Sequence, residues 1–308
     1  MPEFLQSLDH KGEIFSLTCA FLWATATLFF RKAGETLPAF TLNLYKNTFV
    51  LLLLIPTAYY LDHREIPDLP IDTWQTLILS GIIGICFADF LFFKSLNLLG
   101  AGRNAIVCCS YSLFMFFFSS QMLGEEVTWV HFAGSSLVIL GIVLASLKTP
   151  DAPSVVHTPT AVKVRGVIYG LLAMALTAVG VIMVKPVMET NIIPVDQVAI
   201  FRLMAGISGA FIFIVITGKL KATVNCLKKD FPWKTFLIGS FIGGYLAMTI
   251  WLLGYKYAKA NIAAILNQTS TLFVVILAAI FLKERLTPGK AAGAILAFSG
   301  VTIILLNS

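Results

Sequence analysis

WQTLILSGIIG at Trp74–Gly84 and WKTFLIGSFIG at Trp233–Gly243 are one stretch written twice, and the second copy decides the fold. Slid by 159 residues without a gap, Trp74–Leu147 falls on Trp233–Leu306 with 18 of 74 positions identical. CCSYSLF at 108–114 meets NQTSTLF at 267–273, and LGEEVT at 123–128 meets LKERLT at 282–287. Glu125 thereby meets Glu284, while Gly134 and Gly141 meet Gly293 and Gly300. Matched Trp, Glu, Thr and Gly are not the residues that an apolar composition inflates, so the chain carries an internal duplication.

Outward from this stretch the chain is apolar almost throughout. Its 308 residues are 58% hydrophobic and 12% charged, with mean hydropathy +0.87. A soluble chain carries about twice that share of charge, which a globule of this size needs to cover its surface. Ten apolar runs can be drawn, at about 14–30, 39–61, 74–99, 103–123, 129–147, 166–184, 195–217, 234–255, 261–282 and 290–306. Many approach the ~20 residues that cross a bilayer as helix. They are continuous instead of alternating, which fits helices and not barrel strands. The expectation is an all-α integral membrane protein of ten transmembrane helices in the cell membrane, the inner membrane if the source is Gram-negative.

The net charge of +6 sits between the apolar runs, where lipid headgroups and insertion topology account for it, so no nucleic-acid partner is expected. Of five cysteines, Cys19, Cys86, Cys108 and Cys109 lie in apolar runs and Cys226 in a short loop, with no CxxC or zinc spacing. No metal and no cofactor is expected. The first run follows a tail with Glu3, Asp9, Lys11 and Glu13 and lacks a cleavage site after it, so it reads as a span and not as a removed signal.

Residues 148–165, with Pro150, Pro153 and Pro159, read as a linker between halves 1–147 and 166–308. Across it Gly12–Arg31 resembles Gly166–Lys185, and Pro38–Lys46 resembles Pro194–Arg202. Five spans per half is an odd number, so the second half enters the membrane opposite to the first. The halves are then inverted repeats, the architecture of secondary transporters, with a substrate site expected near the midplane between them.

Two five-span repeats, Trp23 in the first span, Lys46 and Arg202 inside spans two and seven, and Leu-Gly-Glu-Glu (123–126) answered by Leu-Lys-Glu-Arg (282–285) resemble the EamA family of the drug/metabolite transporter superfamily. The resemblance covers residues 14–306. It implies export or exchange of small organic solutes, such as amino acids and metabolites, through a cavity lined mainly by spans 1, 3, 4, 6, 8 and 9. Many relatives carry a Pro in spans 4 and 9, where this chain has Ser112 and Thr271, so a Pro-weakened helix is not expected there.

An ionisable residue in a span costs roughly 2.5–3.5 kcal/mol on insertion scales and needs a reason. Lys46 and Arg202 each stand eight residues past a span-opening Pro, about 12 Å into the helix. They meet a substrate carboxylate or phosphate, or snorkel toward their own surface, or bond helix-end carbonyls to lock the fold. Asp89 and Lys94 lie five residues apart on different helix faces and face Met248 and Leu253 in the second copy. Their lone presence fits an asymmetric solute, with Asp89 also a candidate for a coupling proton; a structural pair of Asp89 with Lys46 or Arg31 is the alternative.

Asn267 and Gln268 offer neutral donors and acceptors in span 9, and Trp23, Tyr111 and Trp251 offer further solute contacts. Glu125 and Glu284 read as structural residues that bond the start of the following helix. Gly134, Gly141, Gly293 and Gly300 read as close helix contacts, with either internal packing or a dimer open and a monomer the simplest assembly.

Lys and Arg number five on the face of the termini and fourteen on the other, which puts the termini outside, whereas the resemblance puts them in the cytoplasm. The reading is a secondary transporter, an exporter or exchanger by alternating access, for an anionic or zwitterionic solute. The alternative is a lipid-handling protein that binds or moves an anionic lipid headgroup through a cavity open sideways to the bilayer. No HExxH, paired carboxylates or Ser/His arrangement calls for an enzyme.

Overall fold

The computed structural model describes residues 11–61, 68–123, 128–146, 159–190, 192–227, 231–257, 266–284 and 286–306. Among these the chain is helical: α1 Lys11–Ala33, α2 Ala39–Tyr60, α3 Ile71–Leu99, α4 Ala101–Cys108 with Ser110–Leu123, and α5 Trp129–Ser146. The second half supplies α6 Thr160–Glu189, α7 Val195–Ile216, α8 at 233–257, α9 Leu266–Phe281 and α10 Pro288–Leu306. Six helices, α1, α2, α3, α4, α6 and α7, are long and apolar enough to cross a membrane. Their backbones satisfy themselves, and their exposed faces carry Phe, Ile and Leu, as hydrocarbon surroundings require.

Two expected boundaries change. Helix α6 starts at Thr160, behind Pro159 as its cap, and takes up the last residues of the expected linker. Pro at a helix start loses no hydrogen bond, so the helix forms as soon as the Pro-rich segment ends. Cys226 closes a short helix, Leu220–Cys226, instead of lying in a loop.

Both copies break the α-helix at matching places. Helix α3 passes through a π-helical segment at Ile82–Ala88, and α8 through one at Ser240–Ala247, which the 159-residue offset superposes to within one residue. Wider π turns unseat carbonyls from the α ladder and are frequent at functional positions. Here Asn43 on α2 donates to the carbonyls of Ile85 and Cys86 at 2.9 and 3.1 Å, taking up what α3 leaves open.

Helices α4 and α9 break without proline. At Cys109 the N–H reaches the Ile106 carbonyl, and the Ser112 hydroxyl donates back to the Cys109 carbonyl at 2.9 Å. At Thr269 the hydroxyl donates to the Leu266 carbonyl at 2.5 Å, and the N–H takes the same carbonyl. Hydroxyls that bond backbone three residues back loosen a helix, so both helices are interrupted here although no Pro-weakened helix was expected.

Packing between the halves is reciprocal. Helix α1 lies on α8 and α9, and α6 lies on α3 and α4; likewise α2 touches α8 and α7 touches α3. A joint core of Phe30, Phe93, Leu96, Phe236 and Val274 is drawn from both halves. Helices α5 and α10 pack on one another through the repeated glycines: a Cβ on Gly141 would stand 2.6 Å from the Gly293 carbonyl, and one on Gly300 would collide with that of Gly134. These glycines serve internal packing, which uses up the face that a dimer contact through them would need.

Glu284 bonds the start of the following helix through Lys290, as expected, and reaches the other half as well. Its carboxylate accepts from the N–H groups of Ala101 at 2.8 Å and Gly102 at 3.3 Å, so it caps α4 of the other half. Gly100, at φ 79, turns the chain so that these N–H groups face it, and Lys290 at the start of α10 pairs with it at 3.2 Å. The free N–H groups and positive dipole end of α4 attract the carboxylate more than the next turn does. Glu125 lies outside the described residues.

Candidate functional site

Pro38 and Pro194 open α2 and α7, and eight residues later Lys46 and Arg202 reach the interior at matching depth. Each leans on the π segment of the other half. The Lys46 Cγ lies 3.7 Å from where a Gly244 Cβ would stand, and the Arg202 Nη2 lies 3.2 Å from a Gly84 Cβ. Glycine at Gly84 is therefore what lets the guanidinium approach the α3 backbone.

There the likeness of the two cations ends. Lys46 is buried and pairs with Asp89 at 2.6 Å, an interhelical ion pair that is neither snorkelling nor a carbonyl contact. Asp89 keeps a quarter of its side chain accessible, at 26%. Arg202 makes no hydrogen bond or ion pair among the described residues, and its Nε is fully buried. The Tyr111 hydroxyl is itself buried without a partner. Two cations stand against one carboxylate, and Lys46 has claimed it.

A small cavity of about 30 Å³ is walled by Trp23, Phe92, Asn104, Cys108, Gln268 and Thr271. Helices α1, α3, α4 and α9 line it; α6 and α8, which the resemblance adds, do not. Its floor is where α4 and α9 break and meet, with the Cys109 thiol 3.3 Å from the Thr271 hydroxyl and that hydroxyl 3.3 Å from the Ala105 carbonyl. Gln268 faces the cavity, whereas the neighbouring Asn267 buries both amide atoms without a partner. The other candidates stand apart from it. Lys94 sits 4.8 Å over the Phe90 ring and 4.9 Å over that of Tyr169, and Trp251 is half-buried in α8.

A larger cavity of about 380 Å³ opens between α2 and α7, lined by Leu44, Tyr45, Thr48, Ile207, Phe211 and Ile212. It is apolar and holds no charged side chain, and its Tyr45 hydroxyl already donates to the Thr223 carbonyl at 2.8 Å. Size favours it, but chemistry favours the smaller polar cavity as the site for a solute.

Sequence reasoning missed Asn104, Asn43 and the π segments. Asn104 and Asn43 carried the same signal as Asn267, a carboxamide in an apolar run. The π segments carried none beyond the repeated Gly84 and Gly243.

A helical chain with six apolar helices of membrane-spanning length among the described residues, and a polar, charged centre, is a multi-pass membrane protein of the transporter class. The profile of the EamA-like transporter family matches residues 10–147 and 164–306, once in each half, and the chain belongs to that family. An uncharacterized transporter from Archaeoglobus fulgidus is 23% identical over 295 residues, covering 95% of this chain and 97% of that one. A WAT1-related protein from Arabidopsis thaliana is 22% identical over 274 residues, covering 82% and 76%. A protein of known crystal structure shares the fold, with TM-score 0.66 at 17% identity over 96% of both chains. The protein is thus a membrane transporter of the cell membrane.

Proposed function

We propose that this transporter is a secondary exporter or exchanger of small organic solutes, such as amino acids or metabolites, working by alternating access between two inverted five-helix repeats. The carrying observation is the polar cavity at the seam, to which Asn104 and Cys108 come from the first half and Gln268 and Thr271 from the second. Reciprocal packing of α1 on α8 and α9, and of α6 on α3 and α4, supports the inverted relation. A volume of about 30 Å³ is one water's share of liquid, so the halves must part at the broken helices α4 and α9 to admit a solute. One positive charge in excess at the centre favours an anionic or zwitterionic solute over a cation.

The lipid-handling alternative requires a cation beside a cavity open to the bilayer. The groove between α2 and α7 has the opening and lacks the cation. A thermal-shift screen of the purified protein against amino acids, organic acids, amines and anionic lipids tests the choice. A solute at 100 times its Kd stabilises by about 2.7 kcal/mol. Stabilisation by one soluble class supports transport of that class, and stabilisation by lipids alone overturns it.

A further inference from the structure

Resting on that reading, we propose that the small cavity at the breaks of α4 and α9 is the subsite for a protonated amine of the solute, with Asn104 Oδ1 as its principal acceptor. Asn104 lines the cavity and is 1% exposed, and its Oδ1 is buried with no hydrogen-bond partner among the described residues. Its Nδ2 donates to the Cys108 sulfur at 3.7 Å, which assigns the orientation of the amide and leaves the oxygen over. Such an oxygen carries its full desolvation penalty until a donor arrives. Two further lining residues have spent their hydrogens elsewhere. The Thr27 hydroxyl donates to the Trp23 carbonyl at 2.9 Å and that of Thr271 to the Ala105 carbonyl at 3.3 Å, so each oxygen has only lone pairs left to offer.

The rings of Trp23 and Phe92, 5.9 Å apart, complete the wall, and an aromatic face carries the negative part of its quadrupole. Lone pairs and ring faces complement a group that only donates, and an alkylammonium is that group: three N–H donors, no acceptor and one positive charge. A carboxylate there would set oxygen against oxygen. Size agrees, since about 30 Å³ admits one heavy atom with its hydrogens, a socket for one end of a solute whose remainder occupies the space that opens when the halves part. Asn104 and Thr27 belong to the first half and Gln268 and Thr271 to the second, so an amine seated here bridges the seam. With Lys46 and Arg202 set against Asp89 alone at the centre, that amine belongs to a zwitterion and not to a bare cation. The class is an amino acid, as opposed to an organic or hydroxy acid without nitrogen.

The test uses the full chain in detergent with probes that differ in the amine: alanine beside propionate and lactate, phenylalanine beside 3-phenylpropionate, glutamate beside glutarate. At least one amino acid should raise the melting temperature while its partners without nitrogen do not. Asn104→Leu, close in volume, should weaken binding of that amino acid about tenfold or more, the loss of a hydrogen bond to a charged donor. Without ligand it should melt at or above wild type, because it removes an unpartnered buried oxygen. Asn104→Asp keeps an oxygen at the position and should keep the preference for the amine, and Thr27→Val should weaken binding about threefold.

Equal shifts from an amino acid and its partner without nitrogen overturn the proposal, as does binding undiminished in Asn104→Leu and Thr27→Val, or no stabilisation by any amino acid. A folded Asn104→Leu that melts well below wild type shows that the oxygen is satisfied within the fold, and overturns it too. Stabilisation by sodium chloride over choline chloride that vanishes in Asn104→Leu, with amino acids inert, gives the cavity to a metal ion instead. Should Asn104→Leu not fold, Thr27→Val decides by the same criterion. Counterflow in proteoliposomes separates this subsite from the transport reading: equal exchange of acids with and without the amine overturns the subsite and leaves transport standing. Absence of any exchange overturns transport, and the paired melting shifts then decide the subsite by themselves.

Discussion

Lys46 and Arg202 hold the same station in the two halves, eight residues past Pro38 and Pro194, yet among the described residues only Lys46 of the two is paired. The difference traces to one position on another helix: Asp89 in the first copy is answered by Met248 in the second. Where the halves bear on each other's backbones they stay alike, as in the π segments and the glycine contacts of α5 with α10. Where they face the centre they diverge, Cys108 and Cys109 against Asn267 and Gln268. The two copies stay matched where they bear on each other's backbones and differ in the partner of Lys46 and in the residues at the breaks of α4 and α9.

The largest effect tests the paired cation. Asp89→Asn leaves Lys46 orphaned in the interior and should lower stability by about 3 kcal/mol in thermal unfolding, the loss typical of breaking a buried pair. Lys46→Met combined with Asp89→Leu should recover most of it. If Asp89→Asn melts with wild type, the two cations do not differ in the way described.

The packing positions should respond equally in both halves. Gly141→Leu and Gly300→Leu each force a side chain against the partner backbone and should cost about 2–3 kcal/mol, similar within error. A large inequality would show that α5 and α10 are not equivalent partners.

A smaller loss, about 1 kcal/mol, is expected for Glu284→Gln, which weakens the cap on α4 and the pair with Lys290. Urea unfolding in mild detergent measures it. No loss would mean that the α4 N-terminus is satisfied without the other half.

Composition and the 159-residue echo made the helical, membrane-embedded character and the duplicated order legible, because apolar run length and repeated Trp, Glu and Gly are local signals. The pairing of Asp89 was legible only as one of two choices, since a charge in a span demands a partner but the sequence does not say which helix supplies it. The reading of Glu284 was half complete: its bond to the start of α10 through Lys290 was expected, whereas its cap on α4 joins groups far apart in sequence. The breaks in α4 and α9 went unforeseen because Ser112 and Thr269 reach backbone carbonyls only once the helix exists. Asn104 and Cys108 gave no sign of sharing a wall with Trp23 and Gln268, a matter of tertiary placement alone.

The central claim is that solute crosses at the seam between the halves, and counterflow of radiolabelled amino and organic acids in proteoliposomes tests it most directly. Wild type should exchange the acids that stabilise it, and Gln268→Phe, which fills the small cavity between α1, α4 and α9, should abolish exchange while keeping a cooperative thermal transition. Undiminished exchange with the cavity filled would place the path elsewhere and contradict the account.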